Sequence, residues 1–338
     1  MALLIFWYDF ICFAIVAISI FISIWIIWQN EGNPRHTEKS IYESLSEVDH
    51  LDDGSVTGVI KSTQLWTSCW CGVHPMWLMV YRLVSAIVMA GILAWDIREY
   101  DTSIFLYYTE WTFSLTIFYF VLAAIISTCG MFGKSHGGAT KVEVSNRLRE
   151  KRLEKHRSTA TITLKPLQME DVIKVQWYHE QGDVIAKSAG FCGCILQIVY
   201  QTCAGGVILT DIVFWIIIVP FLSIQHFNLK LLMVCMHTFN VLFLLLETAL
   251  NNLSFPTFRL AYFVLWSCLY IIFQWIIHAC GFPWWPYPFL ELDTPWAPLW
   301  YFCLAMIHLP CYGLYALIVK LKYSLLPKWF PKAFERPC

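Results

Sequence analysis

Residues 3–28 read LLIFWYDFICFAIVAISIFISIWIIW, with Asp9 as the only charged side chain. An α-helix rises about 1.5 Å per residue, so about 20 such residues cross the roughly 30 Å hydrocarbon layer of a bilayer. This stretch is long enough to do so. A cleaved secretory signal is the competing reading, and three features oppose it. No basic leader precedes the run, the run exceeds the roughly 7–15 residues of such signals, and Trp28-Gln29-Asn30 supplies no small-residue cleavage site. A retained membrane helix is expected.

Working outward from this helix, six more apolar stretches follow at 75–95, 103–130, 189–222, 229–251, 258–281 and 296–320. The expected fold is all-α, a polytopic transmembrane bundle of seven spans. The break before the fifth span is only Ser223 to Asn228, with Pro220 beside it. Composition agrees, at 58% hydrophobic and 14% charged against roughly 45–50% and about 25% in soluble domains. These values exclude a soluble enzyme. A formal net charge of -1 excludes a globally basic nucleic-acid binder, so no nucleic-acid partner is expected.

Charge is nevertheless unevenly spread. With seven spans, one side receives the loops 29–74, 131–188 and 252–257 and the C-terminal tail. Loop 131–188 alone carries eleven Lys and Arg residues, and the tail adds Lys322, Lys328, Lys332 and Arg336; the other side has Arg98 and Lys230. Lys and Arg mark the cytoplasmic side, which predicts an N-out, C-in orientation. Loop 29–74 dissents with seven acidic residues against Arg35, Lys39 and Lys61, but acidic residues weigh little in this rule. The basic stretch Lys141 to Arg157 is expected to lie against anionic headgroups or to be a solvated helix. The acceptor Asn252-Leu253-Ser254 falls on the cytoplasmic side and is expected to carry no glycan.

The 13 cysteines avoid the outer loops, so no disulfide framework is expected. Cys69, Cys71, Cys192 and Cys194 lie near the cytoplasmic interface, where palmitoylation and free thiols are both open readings. Cys69-Trp70-Cys71 with His74 has zinc-ligand types but lacks a second pair. No metal or cofactor is expected.

Polar residues inside the spans carry the functional information, because charge is costly there and faces the bundle interior. The second span has Arg82. In the third, Thr109, Thr112 and Thr116 share one face with Glu110 beside them. The fourth has Gln197, Gln201 and Asp211, and the fifth His237, Asn240, Glu247 and Asn251. The sixth has Gln274 and His278, and the seventh His308, Tyr312 and Tyr315. Interhelical hydrogen bonds explain any one of these; together they predict a polar-lined centre. Counted from the expected span starts, Thr116 lies about 20 Å deep and His237 about 12 Å. Shifting each start by a few residues brings them to one level. A hydroxyl and an imidazole at one level are the minimum parts of an acyl-transfer site.

Cys235-Met236-His237-Thr238, the apolar run to Glu247, Trp275 to Gly281, and Tyr287-Pro288-Phe289-Leu290-Glu291 resemble the androgen-induced protein family and the related rolling-stone-like proteins. Phe214-Trp215-Ile216-Ile217 also fits, and the likeness covers roughly residues 78–320. It implies an organisation of three parts. Residues 1–74 are an extra N-terminal helix with its acidic loop, 75–320 a six-helix core, and 321–338 a basic tail. It also implies an intramembrane hydrolase of fatty acid esters of hydroxy fatty acids, acting with a Thr nucleophile and a His base. The family's Trp-x-Phe-Leu-Thr resembles Trp111-Thr112-Phe113-Ser114-Leu115-Thr116, which carries the nucleophile onto Thr116. One extra residue separates it from Trp111, so Thr112 on the same face stays as an alternative. Met-His-Thr carries the base onto His237. Asn240 and Glu110 are both available to orient the imidazole, and His278 matches a family position with no role assigned here. The partners implied are membrane lipids and a lipid ester entering laterally, in an endoplasmic reticulum or other endomembrane, or in the plasma membrane.

The cluster Phe282-Pro283-Trp284-Trp285-Pro286-Tyr287-Pro288-Phe289 cannot form a regular helix. It reads as an interfacial anchor or as a lid. A non-catalytic receptor, adaptor or fusion factor is the competing function. A rhodopsin-like receptor is opposed by Ser127-Thr128-Cys129-Gly130 at the inner end of the third span, where Asp/Glu-Arg-Tyr would stand. A transporter is opposed by the lack of a repeated pair of broken helices.

Overall fold

The computed structural model describes residues 6–32, 62–132, 191–220 and 231–334. Among these, seven helices are long and apolar enough to cross a membrane: α1 (Trp7–Glu31), α2 (Pro75–Tyr100), α3 (Tyr108–Phe132), α4 (Phe191–Ile212), α5 (Leu231–Leu250), α6 (Leu260–Ala279) and α7 (Ala297–Trp329). The protein is an integral, multi-pass, all-α membrane protein. The basic segment Lys141–Arg157 and most of loops 29–74 and 131–188 lie outside the described residues, as does the connection between α4 and α5.

The fourth helix is the centre of the bundle. Every residue from Val199 to Thr210 is buried, Gln201 and Thr202 included, so neighbours enclose this helix on all sides. It packs against α5, α6 and α7, while α1 lies against α6 and α7, and α2 against α5. Two glycines permit the closest approaches. A Cβ at Gly205 would stand 2.5 Å from Phe263 Cδ1 of α6, and one at Gly206 would stand 3.0 Å from Thr112 Cγ2 of α3. Small residues at crossings are the usual solution where lipid supplies no hydrophobic drive between helices.

After Ile212 the helix widens into a π-helical turn over Val213–Ile218, in which Val219 N–H reaches back to Phe214 O. Pro220 follows, and its ring would clash with the carbonyl four residues before it in a regular α-helix. The wider turn accommodates that clash.

At the end of the bundle expected to be cytoplasmic, polar groups are tied together. Arg82, fully buried, gives Nε and Nη2 to Glu247 (2.6 Å from Nη2 to Oε1) and Nη1 to Ser127 Oγ (2.6 Å) and Leu65 O (2.9 Å). Tyr119 adds its hydroxyl to Glu247 at 2.9 Å. Arg259 joins Glu31 of α1 to Gln197 of α4, Gln201 accepts from Tyr312, and Thr248 bonds Tyr200 and Tyr315. Most of the polar stripe seen in the sequence is therefore interhelical bonding.

The seventh helix differs from its expected extent. It continues past residue 320 to Trp329, about 50 Å in all, so the first part of the tail is helical. Lys322 explains the continuation. It is buried and its Nζ donates to Asn251 O at 2.5 Å, pinning the extra turns to the end of α5. Residues 62–74 close the same end through Trp70 Nε1 to Ala249 O (2.9 Å) and an isolated bridge between Trp70 and Phe334. Cys69 is buried with its thiol on the Ala249 and Leu250 carbonyls, whereas Cys71, Cys192 and Cys194 are exposed. Of the four thiols near this interface, Cys69 is thus not presented for palmitoylation.

Candidate functional site

The opposite end of the bundle is built differently. The sixth helix stops at Gly281 (φ +98), where Gly281 N–H bonds His278 O and Phe282 N–H bonds Ile277 O, a Schellman termination that glycine permits. The proline-rich loop then turns back over the helix ends. Its Tyr287 is buried and its hydroxyl accepts from Tyr108 N–H at 3.2 Å. Beneath it lies a half-enclosed cleft with a cavity volume of about 70 Å³. Leu209, Val213, Phe214, Ile271 and Leu304 make the walls apolar, while Tyr108, Thr109, Thr210, Ser267 and His308 supply the polar groups. Tyr287, Phe289 and Leu290 bring the loop into that wall, which gives it a place in the cleft beyond that of an interfacial anchor.

Asp211 and His237 stand just behind Phe214. His237 is buried, its Nδ1 is 3.1 Å from Asp211 Oδ1, and its ring stacks on Phe214 at 3.8 Å. The carboxylate fixes the tautomer by taking the Nδ1 hydrogen. Nε2 makes no hydrogen bond among the described residues. The imidazole thus has the orientation and the free nitrogen of a general base. The orienting group is Asp211, and neither Asn240 nor Glu110 bonds the ring. Asn240 is buried on α5 with Oδ1 unpaired, and Glu110 is buried with Oε2 unpaired.

Thr116 is fully buried, and its hydroxyl donates to Thr112 O at 2.8 Å. Thr112 in turn bonds Thr109 O at 2.9 Å and Tyr108 O at 3.2 Å. This back-bonding is common for threonine in membrane helices. No hydrogen bond joins Thr116 to His237 among the described residues. The fourth helix touches both and serves as a ruler, because Thr116 lies at Cys203 and His237 at Asp211. Eight residues of helix separate those positions, about 12 Å. Thr109, on the same face and bordering the cleft, is the α3 threonine nearest the level of Asp211.

His278 serves the loop. Its Nδ1 lies 2.7 Å from Gln274 O, its Nε2 2.9 Å from Trp284 O, and its ring stacks on Trp285 at 3.6 Å. It fastens the Phe282–Phe289 segment to the end of α6.

The residues missed from sequence are Asp211 as the partner of His237, and Ser267. An intramembrane carboxylate was a visible signal for the first. A lone serine in an apolar helix gives none for the second, since its partner is 41 positions away on α7. Comparison of the chain with protein-family models, curated proteins and solved structures gives no match.

Proposed function

We propose that the protein is an intramembrane hydrolase of lipid esters, working in the cleft under the Phe282–Phe289 loop and serving lipid metabolism in the endoplasmic reticulum or another endomembrane. The observation that carries this reading is the cleft itself. Its walls are apolar enough to hold an acyl chain, and hydroxyl and imidazole groups sit on them or, like the Asp211–His237 pair, directly behind them. A polar metabolite would find too few partners on such walls. An acyl chain already lies at this depth in the lipid and needs no extraction into water.

Fatty acid esters of hydroxy fatty acids are the substrate class, on the strength of the family resemblance. That resemblance puts the nucleophile on Thr116 and the base on His237. Asp211 beside Nδ1 supports His237 as a base, because it leaves Nε2 bare and stabilises the imidazolium formed on proton uptake. Thr116 would need its hydroxyl released from Thr112 O and a shift toward His237, since the α4 residues the two side chains meet lie about 12 Å apart along the helix. Thr112 and Thr109 line the same face at shorter separations.

The test is hydrolysis by the purified protein in detergent or vesicles, read as release of free fatty acid from a hydroxy fatty acid ester. Turnover and its loss in His237→Ala support the reading, while Thr116→Ala decides the role of that hydroxyl. Absence of turnover by the unmutated protein would return it to the non-catalytic adaptor or receptor class.

A further inference from the structure

Ser267 of α6 and His308 of α7 form a hydrogen-bonded hydroxyl–imidazole pair in the wall of the cleft. His308 Nε2 is 2.7 Å from Ser267 Oγ, and His308 Nδ1 is 2.6 Å from Leu304 O. A carbonyl oxygen only accepts, so Nδ1 carries the ring hydrogen and Nε2 is bare. The Ser267 hydroxyl therefore donates to Nε2. Its own hydrogen is then committed to Nε2, the nearer acceptor, since the Phe263 carbonyl stands farther off at 3.3 Å, and Tyr108 Oη at 2.7 Å must be a donor to it. The hydrogens run in one direction, from Tyr108 to Ser267 to His308 to the Leu304 carbonyl. Phe263 packs on the imidazole at 4.6 Å and holds its plane.

A buried serine bonded to histidine is ordinary helix-to-helix bonding when both are enclosed by protein. Here Tyr108, Ser267 and His308 all face the same open-sided apolar space. A nucleophile on a base that is itself oriented by a third group, beside room for a substrate, is the arrangement of covalent acyl transfer.

We infer that Ser267 is the acyl-accepting nucleophile of this cleft and His308 its base, the substrate being a long-chain carboxylic ester. This inference rests on the ester-hydrolase reading and moves the nucleophile from the threonine face of α3 to Ser267 of α6 and the base from His237 to His308. In the first step Ser267 Oγ bonds the ester carbonyl carbon and its proton passes to His308 Nε2. The carbonyl carbon then releases the alcohol oxygen, which takes that proton and leaves as the alcohol. Water next attacks the acyl-serine, giving a proton to Nε2; the carbon–Oγ bond breaks, Oγ takes the proton back, and the fatty acid leaves. Each cycle consumes one ester and one water and returns both side chains to their starting state.

The experiment combines a long-alkyl fluorophosphonate, peptide mass spectrometry of the labelled full-length protein, and ester turnover by Ser267→Ala, His308→Ala and Thr116→Ala. An adduct on the peptide bearing Ser267, absent in Ser267→Ala, with turnover lowered at least 100-fold in Ser267→Ala and His308→Ala, is the expected result. A serine that only bridges helices would take no covalent label. The α6–α7 packing in the variants is checked by their elution and melting in detergent; if Ser267→Ala does not fold, the label site in the unmutated protein decides. An adduct on Thr116, or turnover that survives Ser267→Ala, overturns the inference and leaves the hydrolase reading standing. Turnover with no adduct on Ser267 also overturns it unless folded Ser267→Ala is inactive. If the unmutated protein neither hydrolyses esters nor takes the label, the hydrolase reading fails and this inference with it.

Discussion

Glu247→Gln tests the charged end of the bundle most directly. Glu247 is fully buried and accepts from Arg82 Nε and Nη2 and from Tyr119 Oη. The amide keeps the shape and one acceptor oxygen but removes the negative charge, leaving the Arg82 cation enclosed with neutral acceptors, that oxygen and the Leu65, Ala123 and Ser127 oxygens. Removing one member of a buried pair costs about 3–5 kcal/mol, roughly a 150- to 5,000-fold change in the unfolding equilibrium. Because these remaining oxygens still solvate the guanidinium, the lower half of that range is expected. The assay is thermal unfolding in detergent, followed by tryptophan fluorescence, where 3 kcal/mol corresponds to about 4 °C for a chain of 338 residues. Adding Arg82→Met to Glu247→Gln removes the stranded cation and is expected to recover most of the loss, because replacing both charges can be close to neutral. Glu247→Gln melting within a degree of the unmutated protein, or a double variant no better than the single, would refute the argument that the pair is interdependent.

Three further outcomes follow from particular contacts. Asp211→Asn is expected to lower kcat for ester hydrolysis by about 100-fold or more if His237 is the working base, with KM little changed; equal losses in both would point to a packing role. Gly205→Ala drives a methyl into the Phe263 ring and should cost about 1–3 kcal/mol of stability. Gly91→Ala, where nothing stands within 4 Å, should be neutral or stabilising by up to about 1 kcal/mol, so equal effects at the two glycines would contradict the packing described. Burial pushes the Cys69 thiol above its usual range, with Lys322 offsetting part of the shift; since the thiolate is the reactive form, maleimide should label exposed Cys71 well before Cys69 at neutral pH, the gap narrowing as pH rises.

Spans were legible in the sequence because length and apolarity are sufficient to define them. Each expected segment lies within a few residues of its helix except the seventh, where Lys322 looked like the start of a solvated tail. A lysine near a helix end is ordinarily free to reach water, and only the fold discloses that the Asn251 carbonyl meets it. The polar stripe was legible as a set but not as pairs. Arg82 and Glu247 are separated by 165 positions, and spacing along one helix carries no information about which neighbour it faces. Depth is hard to read from sequence for a related reason. Thr116 and His237 were counted from the starts of their own helices, whereas the levels that matter are set by where each meets α4, and those differ by about 12 Å.

The division of polar groups between the two ends explains why the cleft has the location it has. At the closed end, Arg82, Glu247, Arg259 and Lys322 each hold two or more helices or loops together. Such contacts fill that end with bonds between its elements. At the other end the pair that crosses between described helices is Asp211 with His237, set behind the cleft wall. The π-helical turn before Pro220, the Gly281 termination and the proline-rich loop each displace backbone from regular helix, and the space they leave is the cleft. The polar groups lining the cleft are hydroxyls and an imidazole, which can be buried neutral beside an acyl chain, in contrast to the charged groups of the closed end. A bundle that clamps one end with charge and frames a neutral polar cleft at the other has stability and chemistry on separate residues. Substitutions at Glu247 should therefore change melting before turnover, and those at Ser267 turnover before melting.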